Sequence, residues 1–103
     1  MARLQLDAKT AVITGGGQGI GLGISLSLMQ AGASLLIAQR SALPDELKNR
    51  PDVFWVEADL SDPGSYEKIA RAAQEQYGVV DILVNNAGIM FEKPLDRMQL
   101  SEW

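Results

Sequence analysis

The sequence predicts an α/β protein built on a doubly wound parallel sheet. Short apolar runs alternate with longer segments of helical spacing, which is typical of β-α-β units. The connections between these runs are too long for tight hairpins, so consecutive strands are expected to run parallel. With right-handed crossovers, the predicted element order is β-α-β-α-β-α-β and the predicted strand order in the sheet is 3-2-1-4.

The first predicted β-α-β unit occupies residues 10–38. The run 10–14 is apolar and ends in glycines, which indicates a buried strand, and 34–38 is a second such run. Between them, helical spacing is shown by Ile20, Ile24, Leu28 and Ala31. Gly32 follows at the position where a left-handed helix cap is expected.

The second half of the chain continues the same alternation. Pro44 is predicted to open a short helix within residues 41–50, and residues 53–57 form the third strand. Asp62 and Pro63 are typical of an N-cap followed by the first helical residue. The helix they open has an apolar stripe and ends at Gly78, and residues 82–84 form the fourth strand. The stripe consists of Tyr66, Ile69, Ala70, Ala73 and Tyr77.

Composition excludes several classes of function. The chain has 103 residues, enough for one domain, and a net charge of -4, which argues against binding to nucleic acid or an anionic membrane. It contains no cysteine and no histidine, so thiolate chemistry is excluded and a metal site would need carboxylates. No apolar stretch approaches the ~20 residues that cross a bilayer, and no signal peptide is evident. A cytoplasmic location is the default expectation.

The strongest local signal is the glycine-rich segment from Thr14 to Gly21, between a predicted strand and a predicted helix. A bare backbone can turn sharply and approach a pyrophosphate closely, and the helix that follows offers unpaired N–H groups to the negative charge. This context favours nucleotide binding over a purely structural turn.

The type of nucleotide is narrowed by elimination. The triphosphate-binding loop G-x-x-x-x-G-K-[ST] fails, because Leu22 follows Gly21 where a lysine is required. The glycines alone would also suit a methyltransferase. That reading expects an acidic residue after the second strand, where Gln39 stands.

The motifs together resemble the short-chain dehydrogenase/reductase family, whose fold is of the Rossmann type. Thr14-Gly15-x-x-x-Gly19-x-Gly21 is similar to the family's cofactor fingerprint, and Asn85-Asn86-Ala87-Gly88 to its N-N-A-G motif. Asp59-Leu60 resembles the pair that contacts adenine, and Asp81 the acidic residue before the fourth strand. The resemblance runs from about Lys9 to Trp103.

The resemblance assigns roles to these residues. Gly15, Gly19 and Gly21 would shape the pyrophosphate loop, with contacts from Gln18 and Ile20. Asp59 would accept a hydrogen bond from the adenine amino group, or simply cap a turn, and Leu60 would pack beside the ring. The adenosine-ribose side of the cleft would be lined by Asn86, Ala87 and Gly88. Asn85 is expected to tie neighbouring strands together.

Cofactor preference depends on Gln39 and Arg40. An NAD-binding site usually has an acidic residue at the end of the second strand, where it would repel a 2′-phosphate. With glutamine there the repulsion is absent, and Arg40 can offer its planar guanidinium to the phosphate. NADP is therefore favoured over NAD.

The resemblance implies hydride transfer between nicotinamide and a small-molecule carbonyl or alcohol, with a Tyr-x-x-x-Lys pair as catalytic acid and helper. This pair requires a lysine four residues after the tyrosine. Ala70 stands four residues after Tyr66, and Asp81 stands four residues after Tyr77, so no catalytic residue is assigned. Residues 1–103 are interpreted as the dinucleotide-binding half of a domain that stops as a new helix starts at 101–103. Alone it is expected to be inactive, and marginally stable or self-associating because the fourth strand is an unprotected edge.

The preferred hypothesis is thus an oxidoreductase, active and homo-oligomeric only in a longer form. Two rivals remain open. One is a non-catalytic dinucleotide-binding module, and the other is a methyltransferase-type nucleoside binder.

Overall fold

A computed structural model describes residues 6–17 and 19–86 of the chain. In this part, one parallel sheet is formed by β1 (Thr10–Thr14), β2 (Ser34–Gln39), β3 (Val53–Glu57) and β4 (Ile82–Asn85). Helix α1 (Gly19–Gln30) connects β1 to β2, and helix α2 (Gly64–Tyr77) connects β3 to β4. The strand order is β3-β2-β1-β4, which confirms the predicted order.

The two central strands, β1 and β2, are buried on both faces. Val12 pairs with Leu36 in the register, and both belong to the apolar cluster that includes Ile69 of α2. Ile13 pairs with Ile37 in the cluster on the opposite face, which is packed against α1. Burial on both faces explains why these strands appear in the sequence as continuous apolar runs rather than as alternating patterns.

The prediction of a short helix opening at Pro44 is wrong, because residues 45–49 form turns. The N–H groups of Leu47 and Lys48 both donate to the Pro44 carbonyl, at 3.0 and 2.9 Å, and the segment does not continue as a helix. Asn49 has φ of 63°, a left-handed conformation that a right-handed helix cannot contain. The fully buried Leu47 side chain still covers the α1 side of the sheet.

Helix α1 packs on the core through Leu22, Leu26, Leu28 and Met29, and the predicted stripe contained only Leu28 of these. Its buried residues are Gly21 and Ser25, whereas Ile20 is 71% exposed. Apolar residues occur on nearly every side of this helix, so spacing alone cannot select the face that packs. The buried residues Gly21 and Ser25 are small because this side of α1 lies in close contact with the loop before the helix.

The predicted C-terminal ends of the two helices are confirmed, whereas α2 begins at Gly64, one residue later than predicted. Gly32 and Gly78 follow α1 and α2 with φ of 102° and 82°. At the start of α2, Pro63 already has helical angles, and the Asp62 carboxylate accepts a hydrogen bond from the Gly64 N–H at 3.0 Å. In the described part of the chain, neither helix has the length and apolar character needed to cross a membrane.

A matched pair of Ile→Val substitutions tests the packing of the two helices. Ile69 is 1% exposed, so Ile69→Val should lower the free energy of unfolding by about 0.5–1.5 kcal/mol. Ile20→Val removes the same methylene from a largely exposed helical position, and its effect should stay within about 0.5 kcal/mol. Urea unfolding of both variants measures the difference, and equal losses would contradict this packing.

Candidate dinucleotide-binding site

The loop between β1 and α1 leaves the sheet at its carboxyl edge through a sharp turn. Gly15 has φ of 67° and Gly19 has φ of 51°, a region that glycine enters without steric cost. The Gly15 N–H donates to the Ala38 carbonyl at 2.8 Å and so extends the pairing between β1 and β2 by one residue. The chain therefore turns directly after the sheet ends.

Gly21 is the point of closest approach between α1 and this loop. A Cβ atom at Gly21 would overlap the Gly15 carbonyl oxygen and lie 2.7 Å from Asn86 Nδ2, whereas a Cβ at Gly23 would meet nothing within 4 Å. The first turn of α1 contains no acidic residue. The positive end of the helix dipole is therefore held beside the loop without a side-chain counter-charge.

Three side chains from three different elements anchor the glycine loop. Ser25 Oγ of α1 donates to the Gly16 carbonyl at 2.8 Å. Gln39 Oε1 at the end of β2 accepts from the Gly17 N–H at 2.8 Å. Asn86 Nδ2, just after β4, donates to the Gly15 carbonyl at 3.3 Å. These hydrogen bonds pair peptide groups of the loop that have no partner in regular secondary structure.

Gln39 has no free amide group to offer at the cleft. Its side-chain Nε2 donates to the Ser41 carbonyl at 2.9 Å, and the residue is 5% exposed. Its own carbonyl accepts from Trp55 Nε1 at 3.2 Å and from the Ala58 N–H at 3.1 Å. Gln39 is thus committed to the protein backbone through both its side chain and its main chain.

An open cleft of about 1050 Å³ lies beside the loop at the carboxyl edge of the sheet. It brings together five of the residues singled out from the sequence: Gly15, Gln39, Arg40, Asp59 and Leu60. Gly21 and Asn86 contact Gly15 behind this cleft. Ile20 points into solvent at the start of α1, and Gly19 beside it is also exposed. Gln18, Ala87 and Gly88 lie outside the described residues.

Asp59 caps a turn and is ionised at neutral pH. Hydrogen bonds from the Ser61 hydroxyl at 2.6 Å and the Ser61 N–H at 3.0 Å hold the pKa of this carboxyl below its usual value, and the positive charge of Arg40 lowers it further. Both bonds use Oδ1. Oδ2 accepts no hydrogen bond from the described residues, so the turn-capping role leaves one oxygen of Asp59 available to a ligand.

Arg40 carries an exposed cation at the same cleft. Within residues 6–17 and 19–86, the ion pair found joins Arg71 to Glu67 on α2, and Arg40 has no carboxylate within 4 Å. The guanidinium is therefore free to bind an anionic ligand.

The remaining motif residues hold the strands together. Thr14 Oγ1 donates to Asn85 Oδ1 at 3.1 Å, which agrees with the expected role of Asn85 as a tie between strands. Asp81 Oδ2 accepts from the Thr10 N–H at 2.9 Å, and the Asp81 N–H donates to the Thr10 carbonyl at 3.0 Å. These contacts fix both ends of β4 against β1.

Both described tyrosines have structural roles. Tyr66 donates from its hydroxyl to the Leu60 carbonyl at 3.4 Å, and Tyr77 to the Leu35 carbonyl at 2.7 Å. Burial raises the pKa of Tyr77, and the negative charge of Asp52 raises it further. A tyrosine that acts as a catalytic acid near neutral pH needs the opposite shift.

Sequence reasoning missed Ser25, Gly16 and Ser61. A signal existed for Ser25, because it lies one helical turn after Gly21 and so shares the side of α1 that meets the loop. A Cβ atom at Gly16 would lie 2.7 Å from Ser25 Oγ, so this glycine is required by contact rather than by its φ angle. Ser61 gave no signal, because a serine two residues after an aspartate is common in turns.

The described residues fit a dinucleotide. Bare backbone and an uncompensated helix N-terminus suit a diphosphate. Asp59 Oδ2 suits an adenine amino group, and Arg40 suits a further phosphate. No cluster of residues able to hold a metal ion occurs in the part of the chain that the structure covers.

Two Gly→Ala substitutions in α1 test the close approach of the helix. Gly21→Ala should lower the free energy of unfolding by about 1–3 kcal/mol, because the new methyl overlaps backbone that cannot move aside. Gly23→Ala should raise it by up to about 1 kcal/mol, since the methyl enters open space and alanine favours helix. Urea unfolding measures both changes. A Gly21→Ala variant as stable as Gly23→Ala would show that α1 does not pack on the loop in this way.

The chain is similar to known proteins over most of its length. Residues 9–103 match the family model described as short chain dehydrogenase. An uncharacterized oxidoreductase of Thermotoga maritima is 39% identical over 95% of this chain and 41% of its own length. A D-beta-hydroxybutyrate dehydrogenase of Rhizobium meliloti is 35% identical over 92% of this chain and 40% of its own length.

A solved structure shows the same arrangement. The 2-keto-3-deoxy-D-gluconate dehydrogenase from Streptococcus agalactiae superposes with a TM-score of 0.71 and 30% identity, over 95% of this chain and 39% of the solved chain. The present chain therefore spans about two fifths of the length of these relatives. On the match to the family model, the chain belongs to the short-chain dehydrogenase family.

Proposed function

We propose that this chain forms the dinucleotide-binding part of an oxidoreductase that uses NADP and acts on a small carbonyl or alcohol. The observation that carries the proposal is the cleft at the carboxyl edge of the sheet, where Gly15 of the glycine loop meets Arg40 and Asp59. When bound there, a nicotinamide cofactor supplies the hydride donor or acceptor. Relatives named as dehydrogenases support this class of reaction.

The residues of this chain bind and orient rather than react. Gly19 leaves open space for a diphosphate at the start of α1, and the N-terminus of α1 would attract its charge. Asp59 and Leu60 face the same cleft and suit the adenine, with Asp59 Oδ2 as the acceptor for its amino group. A homo-oligomeric whole protein and a cytoplasmic location stay predictions.

The preference for NADP follows from the charges at the end of β2. Gln39 is neutral and its amide is engaged, so no carboxylate at that position repels a 2′-phosphate. Arg40 follows directly and is exposed at the cleft. Its guanidinium can form a charge-assisted, two-pronged contact with the phosphate.

A non-catalytic dinucleotide-binding module is the second candidate. It needs no catalytic tyrosine, and both described tyrosines have hydroxyls that are hydrogen-bonded to backbone carbonyls. The two candidates differ in the whole protein that carries this chain. Turnover of NADPH with a carbonyl compound supports the oxidoreductase, and binding of NADPH without turnover of any carbonyl or alcohol supports the module.

The cofactor preference is tested by Arg40→Ala. Because it removes a charge-assisted contact, this change should weaken NADP binding about ten- to a hundredfold and leave NAD binding nearly unchanged. Arg71→Ala is the matched control, since it removes an equal charge from the exposed ion pair on α2. Isothermal titration with each dinucleotide gives the affinity ratio. A ratio of NADP to NAD affinity that Arg40→Ala leaves unchanged would overturn the preference.

A further inference from the structure

The side-chain amide of Gln39 lies between two segments of the candidate site. Its Oε1 accepts from the Gly17 N–H of the glycine loop at 2.8 Å. Its Nε2 donates to the Ser41 carbonyl at 2.9 Å, and the Ser41 hydroxyl and the Ala42 carbonyl both lie 3.4 Å from it. A Cβ atom at Gly17 would lie 2.7 Å from Nε2, so the loop rests directly on this amide.

This bridge cannot shift without leaving buried groups unpaired. Gln39 is 5% exposed, and its main chain is held by hydrogen bonds from Trp55 and Ala58. Rotation of the amide would leave the buried Gly17 N–H without its acceptor, which is costly. One side chain therefore joins the glycine loop directly to the segment Arg40–Ala42.

The two segments serve different parts of a dinucleotide. In a bound NADP, the glycine loop would face the diphosphate, and Arg40 would face the 2′-phosphate of the adenosine ribose. We propose that Gln39 is a positioning residue that couples them, so that the affinity gained from a 2′-phosphate depends on the Gln39 amide. This proposal rests on the proposed use of NADP. It extends that function by naming the residue through which the glycine loop and the Arg40 segment bind the ligand together.

The chemistry of the bridge requires one acceptor and one donor in the same group. A glutamine amide provides both. A glutamate carboxylate can accept from Gly17 but cannot donate to Ser41, and its charge would also repel phosphate. A protonated glutamic acid again provides an acceptor and a donor, whereas methionine has a similar length and provides no comparable donor.

The test compares two ligands that differ only in the phosphate, ADP-ribose and 2′-phospho-ADP-ribose. The ratio of their dissociation constants, measured by calorimetry, is the 2′-phosphate factor, expected to be about ten- to a hundredfold for the unaltered chain. Gln39→Met should reduce this factor about fivefold or more, as expected for one lost hydrogen bond. Gln76→Met makes the same change at an exposed position of α2 and should leave the factor unchanged.

Gln39→Glu provides a second test within one variant. Burial raises the pKa of the introduced carboxyl, whereas the Gly17 N–H and the charge of Arg40 lower it, so the pH is lowered from 7.5 until NMR shows that this carboxyl is protonated. The 2′-phosphate factor of Gln39→Glu should then recover toward that of the unaltered chain, and that of Gln39→Met should not. The other charged groups of the cleft are present in every variant, so each variant is compared with the unaltered chain at the same pH. These groups are Arg40, Glu57, Asp59, Asp62 and Lys68.

The outcomes separate this proposal from the function on which it rests. Equal binding of the two ligands by the unaltered chain would overturn the NADP preference. A normal factor in the unaltered chain that persists in Gln39→Met would overturn the coupling alone. An equal loss of affinity for both ligands in Gln39→Met, with no recovery of Gln39→Glu in acid, would also overturn it and reduce Gln39 to a structural role.

Discussion

The site depends on one constraint, which is that the loop after β1 must leave room for a ligand while its own peptide groups stay paired. Gly19 leaves open space beside the loop, whereas the Cβ positions of Gly16, Gly17 and Gly21 are filled by other atoms of the protein. The pairing comes from Ser25, Gln39 and Asn86, which reach the loop from α1, β2 and the end of β4. A loop held in this way keeps its conformation before a ligand arrives, so binding does not have to order it. The open N-terminus of α1 then favours a negatively charged ligand.

The sheet topology is what brings these anchors together. In the order β3-β2-β1-β4, strand β1 lies between β2 and β4, and all strands end at the same edge. The chain crosses in opposite directions from β1 to β2 and from β3 to β4, and ligands of doubly wound sheets bind where that direction changes. Gln39 and Asn86 therefore flank the loop from both sides although they are far apart in the chain. The hydrogen bonds from β1 to Asp81 and Asn85 fix the register of β4 against β1, and with it the position of Asn86 beside the loop.

Much of this arrangement could be predicted from local sequence signals. The strands are short apolar runs, and Gly32 and Gly78 end the helices because positive φ angles favour glycine. What could not be predicted depends on contacts between distant segments. The buried small residues of α1, Gly21 and Ser25, are explained by contact with the loop, and the segment after Pro44 is stopped by the left-handed Asn49 after one turn. In the sequence, Gln39 indicated only that a negative charge is absent at the end of the second strand. Its two side-chain hydrogen bonds could not be predicted, because they depend on where Gly17 and Ser41 lie in the folded chain.

The central claim is that the glycine loop is a preformed cradle for a diphosphate. It is tested most directly by two-dimensional amide NMR of the ¹⁵N-labelled chain during titration with ADP-ribose. The account predicts the largest shifts at the N–H groups of residues 15–21 and smaller ones near Arg40 and Asp59, with Gly32 and Gly78 at the opposite edge of the sheet unaffected. Saturable shifts confined to that opposite edge, or no shifts at millimolar ligand in a folded chain, would contradict it.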